Sequence, residues 1–393
     1  MPEQIALEGN QAVAEAMRQV NPDVVAAYPI TPSTEVVQIF SQFVADGLVD
    51  TEFVAVESEH SAMTACISAA LAGGRVMNAT SSQGMALMWE MLYIASSLRA
   101  PITLALVNRA LSGNINIHCD HSDSYGARDC GWLQLFCENA QEAYDSMFQA
   151  VKIGEDMRVR LPVMVCFDGF FVSHSVEMVK VEPDAAIKEW VGPYVPDRPL
   201  LDIAHPYTIG PLDLQDFYFE HKRGQIEVYR GVPEVIQEVG ASFGEAFGRS
   251  YGLMEPYMMD DAELVIVSLG STAGMVKDVV DSLRADGKSV GGLKLRAYRP
   301  FPAAEIAEQL SGRKAVAVLD RAMSYGAASA PLYSEITSAL YERRAGVPCQ
   351  DYLYGLGGRE ILPEYIAQVF SDLADLAAGG WPEPHMRYLG LRE

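Results

Sequence analysis

Basic residues are scarce in this chain of 393 residues. Lysine and arginine together number 29, against 52 aspartates and glutamates, so the formal net charge is −23. A negative excess of this size repels phosphate backbones and anionic lipid headgroups, and we therefore expect no nucleic-acid or membrane-surface partner. An anionic substrate would have to be bound by a local arginine, because the overall field of the protein repels it.

Long hydrophobic runs are also absent. No apolar stretch approaches the ~18 residues that a membrane-spanning helix needs, and Glu90 interrupts the best candidate. Residues 1–10 do not show the charged and then apolar pattern of a secretory signal. We accordingly expect a cytoplasmic protein without a membrane span.

The cysteines do not form any C-x-x-C pair. The six are Cys66, Cys119, Cys130, Cys137, Cys166 and Cys349. An iron–sulfur cluster or a four-cysteine zinc site within this chain is therefore not expected. Cys66 and Cys166 lie in apolar segments and are predicted to be small core residues.

Three cofactor signatures are incomplete. The glycine turn at residues 270–274 has neither the G-x-G-x-x-G spacing of a nicotinamide-dependent dehydrogenase nor a Walker lysine, so it is predicted to be a helix start. Phe167-Asp168-Gly169 is similar to the start of a diphosphate–magnesium motif, which needs a downstream asparagine. No asparagine follows Asn139. We therefore predict no metal ligand in this chain, and any diphosphate-bound metal would be held by another chain.

Apolar, strand-like runs alternate with helical segments through most of the sequence, and this alternation is typical of a parallel, doubly wound α/β fold. The pattern breaks at about residues 181–232, where prolines, aromatics and charges predict an irregular excursion. A polar loop is expected between Arg109 and a helix that begins at Glu138. A second α/β unit starts near Leu264. We predict two domains, residues 1–258 and residues 259–393.

The first predicted strand ends in the segment Tyr28-Pro29-Ile30-Thr31-Pro32. A residue that precedes proline is displaced from the helical region, so Tyr28 and Thr31 are expected to be extended and the turn to be stiff. The Thr31 hydroxyl would then point in a fixed direction at the carboxyl end of a strand, where open α/β sheets bind ligands. A proline-stiffened turn between a strand and a helix explains the same residues without a ligand.

Polar residues follow three further predicted strands. They are Glu59 with His60, the run Ser82-Gln83-Gly84, and Asn108 with Arg109. Because the carboxyl ends of parallel strands meet at one edge of a sheet, we expect these loops and Thr31 to converge. This convergence is the strongest indication of a binding site in the residues themselves.

Glu59 and Arg109 each have two interpretations. A carboxylate at a helix start stabilises the helix dipole by ~0.3–1 kcal/mol, but in a cleft it can also exchange a proton with a heterocyclic nitrogen. An arginine that ends an apolar strand is either half of an ion pair or a bidentate clamp for a substrate carboxylate. The residues alone leave both choices open.

The loop from His118 to Asp123 contains several residues that can bind metals. However, it has no helical i, i+4 pair of ligands, and its aspartates and serine favour turns. We expect a mobile polar loop over the cleft, in which His118 and His121 are hydrogen-bond or proton partners.

Taken together, these stretches resemble the α subunit of a 2-oxoacid:ferredoxin oxidoreductase, most closely that of the pyruvate:ferredoxin oxidoreductase family. The resemblance runs through nearly the whole chain in one order, which is more specific than any single motif. The matching stretches are YPITPS at 28–33, ESEHSA at 57–62, TSSQG at 80–84, NRALS at 108–112, DHSD at 120–123, FDGF at 167–170, YRPFP at 298–302, LDRA at 319–322 and YGLGGR at 354–359.

The resemblance implies a fold, cofactors and partners. It implies a first domain that binds the pyrimidine side of thiamine diphosphate and a second domain similar to the carboxyl-terminal domain of transketolase. It also implies a β subunit that holds the diphosphate, Mg²⁺ and a [4Fe-4S] cluster, a δ subunit with further clusters, and a γ subunit. Ferredoxin or a similar acceptor would take the electrons, and coenzyme A would be the co-substrate.

Roles for individual residues follow from the same resemblance. Glu59 would hydrogen-bond the pyrimidine ring and promote the imino tautomer that deprotonates the thiazolium carbon. Thr31 and Arg109 would orient the oxo and carboxylate groups of the substrate during its oxidative decarboxylation to an acyl-CoA. Further cofactor contacts would come from Tyr28, Pro29, Ser82 and Gln83, and further substrate contacts from Asn108, His118 and His121.

One loop departs from the family pattern and leaves the substrate open. It reads GNINIHC at residues 113–119, where a proline after the serine and then small or aromatic residues are expected. The resemblance implies pyruvate first, with branched-chain and aryl 2-oxoacids, such as 2-oxoisovalerate and phenylglyoxylate, as alternatives. A non-catalytic scaffold subunit is a further alternative, but it would not need Thr31, Glu59 and Arg109 together.

Overall fold

A computed structural model of the chain describes residues 2–380 and 384–392. In this part of the chain the strands are β1 Glu3–Glu8, β2 Val24–Ala27, β3 Glu52–Ala55, β4 Val76–Thr80, β5 Ile102–Asn108, β6 Leu133–Cys137, β7 Val163–Asp168, β8 Val176–Val181, β9 Met254–Tyr257, β10 Leu264–Ser268, β11 Val290–Leu295, β12 Ala297–Arg299, β13 Ala315–Asp320, β14 Cys349–Tyr354 and β15 Met386–Leu389.

The helices lie between these strands. They are α1 Gly9–Val20, α2 Thr34–Ala45, α3 Glu59–Ala72, α4 Ser82–Leu87, α5 Trp89–Ser97, α6 Ser122–Gly126, α7 Ala140–Glu155, α8 Asp184–Val191, α9 Tyr218–Val228, α10 Val232–Phe247, α11 Thr272–Ala285, α12 Ala303–Leu310, α13 Pro331–Glu342 and α14 Pro363–Ala377. None of the helices in the described residues is long and apolar enough to span a membrane.

Two parallel sheets form the centre of the molecule. The first has seven strands in the order β12-β6-β7-β5-β4-β2-β3, and β12 is its antiparallel member. The second has six strands in the order β15-β14-β13-β10-β11-β9, and β9 is its antiparallel member. Every residue of β5 is buried, as expected for a strand of a parallel sheet covered on both faces. The predicted α/β fold class is confirmed.

The helix that carries Glu59 shows how local sequence sets these elements. Helix α3 starts after Ser58, whose side chain accepts a hydrogen bond from the backbone nitrogen of Ser61. It ends at Gly73, whose φ of +108° a residue with a side chain rarely adopts. Both ends of this helix are therefore set by residues next to them in the sequence.

Strand β6 was missed, because its residues fall in the segment that was expected to be a polar loop. Gln134 lies in this strand and is fully buried. The NH2 group of its side-chain amide donates a hydrogen bond of 2.8 Å to the backbone oxygen of Ser124, whereas its Oε1 atom is buried without a partner in the described residues. The sequence pattern could not show this hydrogen bond. The structure also adds β1, β8 and β12, and it places α8 and α9 in the segment predicted to be irregular.

Strands near the middle of the chain join the two halves. Strand β9 pairs with β11 in the second sheet, whereas β12 pairs with β6 in the first. One hydrophobic cluster contains buried residues from both sheets, including Met164 and Leu293. The division into residues 1–258 and 259–393 stays a prediction. All six cysteines are buried, and Cys66 and Cys166 are core residues as predicted.

Candidate active site

The predicted site residues lie at one edge of the seven-stranded sheet. Thr31 follows β2, Ser82 follows β4 and Arg109 follows β5, all of which are parallel neighbours in the order β5-β4-β2. Glu59 is the first residue of α3, which begins after β3. The expected convergence of loops at the carboxyl ends of the strands is therefore present.

Arg109 and Thr31 are in direct contact. The Nη1 atom of Arg109 donates a hydrogen bond of 2.9 Å to the backbone oxygen of Thr31, and its Nε donates one of 2.9 Å to the backbone oxygen of Asn116. Arg109 is only 5% exposed, and this burial lowers its pKa, while the charge of Asp123 acts in the opposite direction. Among the described residues, Nη2 has no hydrogen-bond partner, so part of the guanidinium remains available to an anion.

Glu59 is a buried carboxylate, 5% exposed, that receives no hydrogen bond from any described residue. It packs against Gly84, where an added Cβ atom would lie 2.6 Å from Glu59 Oε1 and would also collide with Thr80 Oγ1. The hydroxyls of Thr80 and Ser81 are buried and unpartnered within the same described part of the chain.

The start of α4 is bonded to the loop after β5. Ser82 has a φ of +43°, which is unusual for a residue other than glycine. Its hydroxyl donates to the backbone oxygen of Ala110 at 2.6 Å, and the side-chain amide of Gln83 donates to Ser112 Oγ at 2.6 Å. The cofactor side and the substrate side of the predicted site are therefore one connected unit.

A buried carboxylate that the sequence analysis treated only as a turn residue lies beneath this unit. Asp123 Oδ2 accepts hydrogen bonds of 3.0 Å from the backbone nitrogens of both Ser82 and Arg109. Asp123 Oδ1 accepts from the side chain of Asn108 at 2.8 Å and from the backbone nitrogen of Ser124 at 2.7 Å. Burial raises the pKa of Asp123 to about 6, although these hydrogen bonds lower it.

Asn108 is fully buried and its amide is held by Asp123 and, at 3.0 Å, by Ser124 Oγ. Its Oδ1 atom is buried without a partner in the described residues. Tyr28 and Pro29 are exposed on the turn after β2, and the peptide bond from Thr31 to Pro32 is cis. The predicted contacts of these residues with cofactor or substrate stay predictions.

The two histidines of the loop have different surroundings. His118 is exposed, and the centroid of its ring lies 4.7 Å from that of Phe170. His121 is 1% exposed, and its Nε2 lies 2.8 Å from Asp168 Oδ1. The structure thus brings His118 to the surface of the loop and His121 into a buried polar cluster, and their roles toward a substrate stay predictions.

That buried cluster joins the two sheets. Asp168, at the end of β7, accepts hydrogen bonds from Arg321 Nη1 at 2.9 Å and from Ser271 Oγ at 2.5 Å, both of which belong to the second half of the chain. Burial by itself would raise the pKa of Asp168, but Arg321 and His121 hold it well below its usual range.

Cys119, His121 and Asp168 have potential metal-ligating atoms within 4.8 Å of one another. Both carboxylate oxygens of Asp168 are already bonded to protein groups, and the guanidinium of Arg321 balances its charge. The geometry therefore does not favour a cation here, and the absence of a metal ligand in this chain stays a prediction.

A contact across the two halves of the chain was missed by the sequence analysis. The side chain of Asn116 donates to the backbone oxygen of Gly357 at 3.1 Å, and the backbone nitrogen of Gly358 donates to the oxygen of Cys119 at 2.7 Å. The paired glycines were the available signal, because their φ values of +60° and +80° mark a turn that side chains disfavour.

Two family models match the sequence. Residues 15–241 match "Pyruvate flavodoxin/ferredoxin oxidoreductase, thiamine diP-bdg", and residues 262–366 match "Pyruvate:ferredoxin oxidoreductase core domain II". The first match alone covers more than half of the chain.

Curated relatives match along at least nine tenths of their length. The chain is 56% identical over 391 residues to the pyruvate synthase subunit PorA of Thermotoga maritima, with coverage of 100% of this chain and 99% of the relative. It is 46% identical over 357 residues to PorA of Methanocaldococcus jannaschii, covering 90% and 91%. It is 39% identical over 387 residues to the ketoisovalerate oxidoreductase subunit VorA of Pyrococcus abyssi, covering 98% and 97%.

Solved structures show the same fold at low identity. A 2-oxoglutarate:ferredoxin oxidoreductase from Magnetococcus marinus superposes with a TM-score of 0.75 at 20% identity, covering 94% of this chain. This chain spans 65% of that longer chain. A split-gene transketolase, described as an inactive tetramer, superposes with a TM-score of 0.53 at 13% identity over 95% of this chain and 98% of its own. At these identities the likeness concerns the fold alone.

Proposed function

This chain belongs to the pyruvate:ferredoxin oxidoreductase family, as an α subunit of a 2-oxoacid:ferredoxin oxidoreductase, and from that premise we propose that its substrate is pyruvate. The identity to the pyruvate synthase subunit of Thermotoga maritima, 56%, exceeds the 39% identity to the ketoisovalerate subunit of Pyrococcus abyssi. The observation in the structure that carries the proposal is the contact of Arg109 with Thr31 at the sheet edge.

This contact suits a small 2-oxoacid. A buried guanidinium whose Nη2 atom has no partner in the described residues binds a carboxylate strongly, because the charge is poorly screened and the donors have a fixed geometry. Thr31 is exposed on the turn, and its hydroxyl can donate to an oxo oxygen. The chain supplies this cation locally, although its net charge of −23 opposes an anion.

The residues at the other side of the site fit the pyrimidine part of thiamine diphosphate. Glu59 is a carboxylate without a protein partner in the described residues, and the buried hydroxyls of Thr80 and Ser81 are unpartnered as well. A Cβ at position 84 would obstruct the space beside Glu59, and glycine leaves it open. When bound, thiamine diphosphate supplies a nucleophilic carbon and an electron sink for decarboxylation.

The chain's own contribution to the chemistry follows from these positions. Glu59 holds or exchanges a proton at its carboxylate with a ring nitrogen, at a site shielded from water. Ser82 and Gln83 line the same edge beside α3. Arg109 and Thr31 hold the carboxylate and oxo groups of the substrate in a fixed orientation, which lowers the entropic cost of the reaction.

Other components complete the enzyme in this proposal. The resemblance to the family assigns Mg²⁺, the diphosphate and the [4Fe-4S] clusters to β and δ subunits, with a γ subunit. This chain itself has no C-x-x-C pair and no asparagine after Asn139, in agreement with that assignment. Coenzyme A accepts the acyl group and a ferredoxin accepts the electrons. The cytoplasm is the proposed location.

The test uses the enzyme purified with its partner subunits. Reduction of an electron acceptor is measured with pyruvate, 2-oxoisovalerate and phenylglyoxylate, and we expect pyruvate to give the highest kcat/KM. Glu59→Gln should lower kcat by a factor of ~10²–10⁴, the usual contribution of a positioned proton-transfer group. Glu57→Gln, at the exposed carboxylate two residues earlier, is the matched control. Unchanged turnover in the Glu59→Gln enzyme would instead support a scaffold subunit.

A further inference from the structure

We infer that Asp123 is a positioning residue that sets the relative placement of the cofactor side and the substrate side of the site. The inference rests on the proposed function of Arg109 and Ser82. Asp123 itself lies beneath both residues and is 2% exposed. It therefore acts through the backbone of these residues and not on the substrate.

The geometry that carries the inference is a single carboxylate oxygen shared by two strand ends. Asp123 Oδ2 accepts from the backbone nitrogen of Ser82, directly after β4 and Ser81, and from the backbone nitrogen of Arg109, directly after β5. The Arg109 nitrogen belongs to the first residue after β5, and the Ser82 nitrogen belongs to the second residue after β4. A shift of the carboxylate would therefore move the Ser82 and Arg109 backbones relative to each other.

The second oxygen fixes the carboxylate itself. Oδ1 accepts from the side chain of Asn108 and from the backbone nitrogen of Ser124. All four partners are N–H donors, so both oxygens of Asp123 must accept hydrogen bonds. The ionised carboxylate has two accepting oxygens and no donor, and it is therefore the form that satisfies all four partners. With a pKa of about 6 this form predominates at neutral pH.

Backbone conformation makes this support necessary. Ser82 has a φ of +43°, a left-handed conformation that is unfavourable for a residue with a side chain. The hydrogen bond from its backbone nitrogen to Asp123, together with that from its hydroxyl to Ala110, holds this conformation. The same bonds keep Gln83 and Gly84 at the start of α4, beside Glu59.

The neighbouring acid provides a matched control. Asp120 is also buried, at 7% exposed, and lies in the same loop. Its Oδ1 accepts from the backbone nitrogen and the hydroxyl of Ser122, and the structure gives it no hydrogen bond to Ser82 or Arg109. Asp120→Asn keeps one acceptor oxygen for Ser122, so it tests the loop without touching the shared carboxylate.

The experiment compares Asp123→Asn with Asp120→Asn in the enzyme assembled with its partner subunits. The side chain that Asp123→Asn introduces has one accepting oxygen, and its NH2 group faces N–H donors that bonded to the carboxylate. We therefore expect the KM for pyruvate to rise by about tenfold or more, and the apparent affinity for thiamine diphosphate to fall by a similar factor. Asp120→Asn should stay within about twofold of the wild type in both constants.

Three results would overturn the inference. The first is an Asp123→Asn enzyme with wild-type KM and wild-type cofactor affinity. The second is a lower kcat with both constants unchanged, since that is the signature of a partly unfolded preparation and not of a misplaced site. The third is an equal loss in Asp120→Asn, which would assign the effect to the loop as a whole.

A double variant keeps the test decisive if Asp123→Asn does not assemble. Asn108→Asp combined with Asp123→Asn lets the new amide donate to a carboxylate at 108 while its oxygen still accepts from Ser82 and Arg109. The backbone nitrogen of Ser124 loses its acceptor in this variant, so the expected recovery is partial. We expect it to assemble and to have a KM closer to the wild-type value than Asp123→Asn, or a measurable KM where Asp123→Asn has none. Failure to assemble, or no recovery, contradicts the inference. An inactive wild-type enzyme in the same preparation would instead refute the proposed function.

Discussion

Arg109 Nη1 lies 2.9 Å from the backbone oxygen of Thr31, although β4 lies between the strands that precede the two residues. The guanidinium therefore reaches across the end of β4 to the turn after β2. Its Nε atom is bonded at the same time to the loop backbone at Asn116. The side chain is held by two fixed acceptors, and its position depends on the planar fork of donors that only arginine has.

Replacement of Arg109 should weaken substrate binding more than cofactor binding. Lysine at this position cannot bond both backbone oxygens and a carboxylate, so Arg109→Lys should raise the KM for pyruvate by about 10- to 100-fold, and Arg109→Ala by more. Steady-state kinetics and a thiamine diphosphate titration of the assembled enzyme measure the two effects. Arg158→Lys, at an exposed arginine, is the control. Loss of the cofactor in Arg109→Lys would contradict the assigned role.

A methyl group at position 84 should displace Glu59. In Gly84→Ala the new Cβ would lie 2.6 Å from Glu59 Oε1, and the nearby hydroxyl of Thr80 is buried and cannot yield easily. We expect kcat to fall by at least about tenfold, because a shift of about 1 Å in a reacting group is enough for such a loss. Gly224→Ala is the control, since nothing lies within 4 Å of its Cβ. Equal activities in the two variants would show that Glu59 has room to move.

Asp168 should stabilise the folded chain at neutral pH and lose that effect in acid. Removing one partner of a buried ion pair costs ~3–5 kcal/mol, so Asp168→Asn should lower the thermal unfolding midpoint. Because Arg321 and His121 hold the pKa of Asp168 below its usual range despite burial, the folded form binds fewer protons than the unfolded form. The stabilisation is therefore fully present above the usual pKa of ~3.9 and is lost as the pH falls below it.

The measurement for Asp168 is the unfolding midpoint of the wild type and of Asp168→Asn across a pH series. The difference between them should be fully present at about pH 5 and should narrow below about pH 4. Asp202→Asn, at a carboxylate that is paired with His205 on the surface, should give a small difference throughout. If the difference in unfolding midpoint between the wild type and Asp168→Asn grew as the pH fell, the stabilising role assigned to the ionised Asp168 would be wrong.

The glycine turn of the second half of the chain should affect the substrate loop of the first. A Cβ at Gly358 would contact the His118 side chain, with its Cγ at 3.1 Å, and the φ of +80° adds a backbone cost. Gly312→Ala separates the steric contact from the backbone cost. Gly312 has a similar φ of +79°, but no atom lies within 4 Å of a Cβ added there. Both variants should lose ~1–2 kcal/mol of stability from the backbone.

Only Gly358→Ala should also raise the KM for pyruvate, by about threefold or more, because its side chain pushes on the loop that holds Arg109. Kinetics and thermal unfolding of the two variants in parallel measure this difference. If both variants show the same KM, the turn supports the fold and has no effect on the site.

Much of the fold was available in the sequence. Apolar runs such as those of β5 and β10 predict buried parallel strands, because strands covered on both faces contain few polar residues. Ser58 and Gly73 set the ends of α3 for local reasons. Strand β6 could not be predicted from the sequence, because its buried Gln134 donates a hydrogen bond to the backbone oxygen of Ser124, which lies in a separate segment.

The site was available in part. The identities of Thr31, Glu59 and Arg109, and their common position after strands, follow from the order of the sequence and the geometry of parallel sheets. The direction of each side chain does not follow. His118 and His121 are three residues apart in one motif, yet one is exposed and the other is buried against Asp168.

The sequence by itself determined the fold class, the family and the set of polar residues at the sheet edge, because these depend on local propensity and on the order of strands along the chain. Only the tertiary structure decided that Asp123 is shared between two strand ends, that Arg109 reaches Thr31, and that Asp168 pairs with Arg321. Those contacts join segments far apart in sequence, and their geometry comes from packing, which no local pattern of residues records.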